Sequence, residues 1–195
     1  METKIRDIYH AGFLDKRVES QKSLISKLNN VSPDTARTLI RETVNSEWFA
    51  DTFLSGNLKG WPVGMLPVAI YEALKKAGVV TSAQIVIDNV QGGKFRKHPE
   101  VSVEQYKYLQ HALDHGEVLL ERPGRVKQGP RNTLLIHYRD GDDWWRYVAN
   151  IKKDKLYLLT VFRGSYIARQ KVLKRTGLIT IKPWDEDIWQ KKHGA

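Results

Sequence analysis

The sequence predicts an α+β fold: a helical N-terminal arm over residues 1–60, then a small domain over 61–182 with helices packed on an antiparallel sheet of about four to five strands, then a tail over 183–195. Three observations predict it. Apolar residues recur at helical spacing through the first part of the chain. Beyond Gly116 come four runs rich in strand formers, EVLLE, NTLLIHY, WWRYVANI and KLYLLTVF. Between the arm and the rest stands SGNLKGWPVGMLP, whose glycines and prolines mark a boundary near residue 60. Helices first and strands after give α+β rather than a regularly alternating α/β chain.

Each element has a local reason. In the arm, Ile5, Ile8, Phe13, Val18, Leu24, Ile25 and Leu28 are spaced closer to a helical stripe than to alternation. Ser32-Pro33-Asp34 then starts a helix. The serine can cap, the proline presets φ, and the aspartate meets the positive end of the helix dipole. Ala36, Leu39, Ile40 and Val44 continue one face. Pro67 opens VAIYEALKKAG, which Gly78 closes at C′. AQIVIDNV reads as a short strand, followed by Gly92-Gly93. Ser102 and Gln105 fit a capping box for a helix that places Tyr106, Leu109 and Leu113 on one face and ends at Gly116. The strand runs follow. The final KPWDEDIWQKKHGA is polar and aromatic, a docking tail or a frayed end.

Composition narrows the function classes. The chain has 195 residues, enough for one domain, or one domain with an extension, at roughly 100–200 residues per domain. Cysteine is absent, which excludes disulfides, a thiolate nucleophile and cysteine-based metal sites. Lys plus Arg number 32 against 22 Asp plus Glu, a net charge of +10. Polyanions are the natural partners of such a chain, although excess charge also serves solubility alone. No apolar run approaches the ~20 residues of a membrane span, and METKIRDIYH lacks a signal peptide's apolar segment. Neither membrane insertion nor export by that route is expected.

The strand runs can be sorted onto two faces. Asp140-Gly141 suits a two-residue hairpin turn, because such turns need positive φ. Centring the turn there pairs His137 with Trp144 and Leu135 with Arg146. A second turn at Lys153-Asp154 sets Trp144 opposite Arg163 and Arg146 opposite Val161. Alternation then gives a core face of Leu134, Ile136, Tyr138, Trp145, Tyr147, Ala149, Ile151, Leu156, Leu158, Thr160 and Phe162. The other face carries His137, Trp144, Arg146, Tyr157 and Arg163 on a floor of Leu135, Val148, Leu159 and Val161. Such a face suits RNA, whose bases stack on aromatic rings while guanidinium groups hold phosphates. Equally, arginine and tryptophan side by side make cation–π contacts beneath a covering helix. A one-residue bulge would reverse part of the sorting.

The segment GGKFRKHPEVSVEQYKYLQ gathers Lys94, Arg96 and Lys97 beside His98, which precedes Pro99 and lies just upstream of the helix at Ser102. A helix N-terminus disfavours an imidazolium while a bound phosphate favours it, so this histidine is a candidate proton-transfer group. The bland reading, a structural or surface histidine, is given outright to His10, His111, His115 and His193. His111 and His115 stand four apart on a helix, but no carboxylate follows in a zincin pattern. The acidic run Asp140, Asp142, Asp143 is accounted for by the hairpin turn. No metal and no cofactor is expected.

The order of the strand QIVIDNV, the segment KFRKHPEVSVEQYKYL, GEVLLERPGRV, WWRYVANI and KLYLLTVFRGS resembles the phage-associated nuclease domains of the barnase, EndoU, colicin and RelE superfamily, over about residues 62–182. The resemblance implies a metal-independent ribonuclease in which a ribose 2′-OH attacks the adjacent phosphate. That chemistry needs a base, an acid and positive charge for the developing oxyanion. It implies His98 as acid or base, Arg146 and Arg163 at the phosphate, and Thr160 as an orienting hydrogen-bond group. Lys94, Arg96, Lys97, Arg125, Lys127, His137, Trp144 and Tyr157 are then candidates for binding nucleic acid, RNA favoured and DNA possible. Thr160 falls on the core face of the register above, away from both arginines, so either a bulge intervenes or Thr160 is structural. A virion or host-cytoplasm setting is implied, with phage head or portal proteins as possible partners. The competing expectation is a non-catalytic head or neck protein whose basic surface contacts packaged DNA.

Overall fold

The computed structural model describes residues 22–23, 26–28, 30–46, 49–50, 60–80, 82–87, 101–122, 132–152 and 155–186. The fold is α+β, with a helical N-terminal part preceding a sheet domain. Of the first predicted helix, residues 22–23 and 26–28 are described, and they are helical. In α1 (Pro33–Val44) the Ser32 side chain accepts from the Thr35 amide at 3.2 Å, and Asp34 pairs with Arg37. Strand β1 (Trp61–Met65) precedes α2 (Val68–Lys76), after which Gly78 takes φ +66°. This left-handed geometry is what a C′ glycine provides. Then follow β2 (Gln84–Ile87), α3 (Val103–Lys107) and α4 (Leu109–His115). The Ser102–Gln105 capping box is formed in both directions, and the helix predicted to run on to Gly116 is divided at Tyr108. The chain continues through β3 (Glu117–Glu121), β4 (Thr133–Asp140), β5 (Asp143–Lys152), β6 (Lys155–Gly164), α5 (Tyr166–Leu173) and β7 (Leu178–Lys182).

The sheet has seven strands, not four to five, in the order β1-β2-β6-β5-β4-β3-β7, and it is mixed: β2 runs parallel to β6 while the other pairs are antiparallel. The extra strands lie at its edges. β1 reads as a boundary because its Pro62 and Gly64 are poor ladder residues. At an edge proline is tolerated, and the register shifts between these two positions.

One large core cluster joins α1 to the elements that follow it. Ala36, Ile40 and Val44 of α1 cluster with Ile70 and Leu74 of α2, Leu109 and Leu113 of α4, and Leu134, Ile136, Tyr147, Ala149 and Leu158 of the sheet. Among the described residues, this cluster includes side chains from both sides of the expected break near residue 60. The opposite sheet face carries α5, where Val172 packs with Leu119 and Leu135.

Two register differences matter for function. The β4–β5 turn is centred on Gly141-Asp142, with Asp140 opposite Asp143 and His137 opposite Arg146. Gly141, at φ +57°, takes the first turn position. The pairing is displaced by two residues from the expected one, an even number, so each side chain keeps its face. Between β5 and β6 the displacement is odd. Val148 pairs with Thr160 but Ala149 pairs with Leu158, which leaves Leu159 as an extra residue in β6. This bulge reverses everything beyond it. Thr160 and Phe162 join the face of Arg146. Val161 turns into the main core at 1 % exposure, and Arg163 goes with it to the face of Trp145 and Tyr147.

Candidate functional site

The most distinctive chemistry of the described chain lies where α5 crosses the second sheet face. β3 starts immediately after Gly116, where a Cβ would sit 2.4 Å from the His137 carbonyl oxygen and 2.5 Å from that of Ala112. Only glycine permits so close an approach, and it sets Glu117 directly opposite His137, itself opposite Arg146. Three neighbouring strands thus present a carboxylate, an imidazole and a guanidinium in a row. Helix α5, capped by Ser165 accepting from the Ala168 amide at 3.1 Å, adds Arg169 from above.

The four side chains form a chain of hydrogen bonds. Arg169 donates from Nε and Nη2 to Glu117 Oε2 and Oε1 at 2.9 and 2.8 Å. Glu117 Oε2 lies 2.9 Å from His137 Nδ1, and Arg146 Nε donates to His137 Nε2 at 2.7 Å. Because a guanidinium nitrogen can only donate, His137 Nε2 must accept, so the ring is neutral and its proton sits on Nδ1, facing Glu117. Burial and the charges of Arg146 and Arg169 hold the His137 pKa below its ordinary value, against the pull of Glu117. Glu117 also lies below its ordinary range. Burial opposes its ionisation, but the hydrogen bonds from His137 and Arg169 and the charge of Arg169 outweigh it.

Arg146 is the unbalanced member. It is 9 % exposed. Besides His137 it donates to the Ala168 carbonyl at 3.3 Å and lies 5.0 Å over the Phe162 ring. No carboxylate among the described residues forms an ion pair with it. Burial and the positive charge of Arg175 lower its pKa, with partial relief from Glu121, but Glu121 is itself engaged by Arg175 at 3.0 Å. A buried cation without a counter-charge is costly, and an arriving anion removes the cost.

The remaining sequence candidates separate clearly. Thr160 is half-buried on Arg146's face, one diagonal step away across the ladder. Tyr157 is half-buried on the same face, with Lys152 Nζ 5.6 Å over its ring. Trp144 shares the face but is 6 % exposed: Arg169 stacks over it at 5.0 Å, and Tyr166 and Trp184 lie at 6.3 and 5.0 Å. The tryptophan is therefore spent on cation–π and aromatic packing, the alternative that the sequence left open, and no base can stack on it. Arg163 stands on the opposite face, its side chain 56 % exposed and paired with Asp143. A single pocket holding both Arg146 and Arg163 is not what the sheet builds. His98, Lys94, Arg96, Lys97, Arg125 and Lys127 lie outside the described residues.

Sequence reasoning missed Glu117, Arg169 and Arg175. The signal for Glu117 was its place directly after Gly116 at the start of a strand. Arg169 had none, because α5 carries no apolar stripe, and Arg169 and Val172 are its buried residues. His111 donates or accepts at 2.9 Å with the Tyr138 hydroxyl and packs edge-on to His115 at 4.5 Å. No metal-binding group of three side chains occurs among the described residues.

No protein-family model matches the chain, and comparison with curated proteins and with solved structures finds nothing similar, so the chemistry of the site rests on its own residues.

Proposed function

We propose that the protein is a phage-encoded, metal-independent ribonuclease-like protein that holds an RNA phosphate at Arg146. The observation that carries this reading is the buried guanidinium of Arg146, aimed by His137 and without a carboxylate partner among the described residues. Catalytic anion sites need a donor fixed before the substrate arrives, because reorganisation during reaction erodes the electrostatic gain. His137 supplies that fixing, and Glu117 with Arg169 holds His137 in the tautomer that accepts. In the proposed reaction a base removes the 2′-OH proton, the 2′-oxygen attacks phosphorus, and the 5′-oxygen leaves with a proton from an acid. Arg146 stabilises the negative charge on the non-bridging oxygens, and Thr160 orients the phosphate. His98 is the proposed acid or base. The net charge of +10 suits the substrate. Lys94, Arg96, Lys97, Arg125 and Lys127 are the proposed outer contacts to RNA. The phage setting and a place in the virion rest on the resemblance alone. The competing reading is a non-catalytic head or neck component whose basic surface contacts packaged DNA, motivated by the N-terminal helices, of which α1 has its apolar face in the core.

The test is cleavage of labelled single-stranded RNA in EDTA. The wild type is expected to cut, and Arg146→Gln to lose about 10²–10³-fold in rate. No cleavage across pH and substrates, or full cleavage by the Arg146 variant, rejects the proposal.

A further inference from the structure

We infer that the half-buried part of the second sheet face is a base-stacking track for single-stranded RNA, running along β5 and β6 from Arg146 to a subsite built by Tyr157, Asn150 and Lys152. The inference deepens the proposed function and rests on its reading of Arg146 as the phosphate anchor. The bulge at Leu159 creates the track. By turning Thr160 and Phe162 onto this face and Val161 and Arg163 off it, the bulge aligns Phe162, Thr160 and Tyr157 beside Arg146, Val148 and Asn150. All of these except Arg146 are half-buried, whereas Leu119 and Leu135, under α5, are buried.

The chemistry is repeated at the two ends. At one end the Arg146 guanidinium lies 5.0 Å over Phe162, and at the other Lys152 Nζ lies 5.6 Å over Tyr157. Each pairs a cation for a phosphate with an aromatic ring for a base, the combination that binds single strands with little sequence preference. Asn150 is four residues from Arg146, about 13 Å along the strand, a span of a few nucleotides. Asn150 accepts from the Thr133 hydroxyl at 3.2 Å, and its amide nitrogen has no partner among the described residues. It therefore offers donors to a base edge or a ribose hydroxyl. Among the described residues, the acidic residue nearest Asn150 in register is Glu121, opposite Thr133, and Arg175 neutralises it. A duplex is disfavoured, because its bases are stacked on one another and unavailable to the rings.

The experiment measures binding of the full chain, by fluorescence anisotropy, to a labelled 2′-O-methyl hexanucleotide, which cannot undergo 2′-OH attack, and to a labelled 2′-O-methyl dinucleotide. Tyr157→Ala is expected to lower the ratio of hexanucleotide to dinucleotide affinity about tenfold, the order of one lost base stack. Lys152→Glu, an exposed substitution that does not challenge folding, is expected to lower the same ratio and to flatten the salt dependence of hexanucleotide binding. Arg146→Gln is expected to weaken both probes. If Arg146→Gln weakens both probes while Tyr157→Ala and Lys152→Glu leave the ratio at its wild-type value, the track is overturned and the phosphate site stands. If Arg146→Gln weakens neither, the anchor fails and the track fails with it. A hairpin duplex bound as tightly as the single-stranded hexanucleotide also overturns the track.

Discussion

Replacing Arg169 with methionine isolates the energetics of the buried network. Arg169 makes two charge-assisted hydrogen bonds to Glu117, whose side chain is 4 % exposed. Hydrogen bonds to charged groups contribute about 1.5–3 kcal/mol each, and removing one partner of a buried ion pair costs about 3–5 kcal/mol, because the remaining charge is stranded. Methionine keeps most of the side-chain volume, so the loss is chiefly electrostatic, and we expect Arg169→Met to cost about 3–5 kcal/mol at pH 7. In a chain of this size that lowers Tm by on the order of 10 °C. The assay is urea unfolding of wild type, Arg169→Met and Glu117→Gln/Arg169→Met. The double variant keeps an oxygen to accept from His137 but removes the stranded charge, so it should be more stable than Arg169→Met alone. The pH dependence has a definite sign. Folded wild type holds Glu117 below its ordinary pKa, so this carboxylate's stabilisation is present above the unfolded value of about 4.3 and is lost as pH falls below it. In Arg169→Met the stranded carboxylate takes up a proton more readily. The difference between the two proteins should therefore narrow on acidification. A cost below about 1 kcal/mol, or a double variant no more stable than the single, would mean that losing Arg169 does not strand a buried charge on Glu117.

Further expectations follow from single contacts. His137 is neutral in the fold with its pKa depressed, so its contribution is present above the unfolded value of about 6.5 and lost as pH falls below it. The urea midpoint should drop between pH 7.5 and 5.5 in wild type and drop less in His137→Gln. Gly116→Ala should cost at least about 2 kcal/mol in urea unfolding, because its Cβ meets backbone oxygens at 2.4 and 2.5 Å that no side-chain rotation can clear. Arg163→Ala, which removes an exposed ion pair on the other face, should change stability little and leave RNA cleavage within a few-fold of wild type. A loss as large as that of Arg146→Gln would mean that the bulge does not separate the two arginines.

The sequence was most informative where one residue type has one mechanical use. Ser32, Ser102 with Gln105, and Gly78 announced helix ends because capping geometry admits few alternatives. The faces of β4 and β5 were legible because alternation survives a two-residue error in the turn. The bulge at Leu159 was not legible. It interrupts LYLLTVF, a run of strand formers that reads equally well in either phase, and it decides which arginine accompanies Thr160. The edge strand β1 was hidden by its proline and glycine. Half of the network was hidden for a different reason: Glu117 and Arg169 are 52 positions apart and meet only through the β3–β4 register and the path of α5. Polar residues in solvated and buried settings look alike in sequence, whereas apolar periodicity shows burial directly.

The central claim, a guanidinium poised for RNA phosphate at Arg146, is tested most directly with a labelled DNA oligonucleotide carrying a single ribonucleotide, incubated in EDTA. One cut is expected, 3′ to the ribose, with a 2′,3′-cyclic phosphate product that Arg146→Gln forms about 10²–10³-fold more slowly. Cutting at deoxynucleotides, or product formation undiminished in Arg146→Gln, would contradict it.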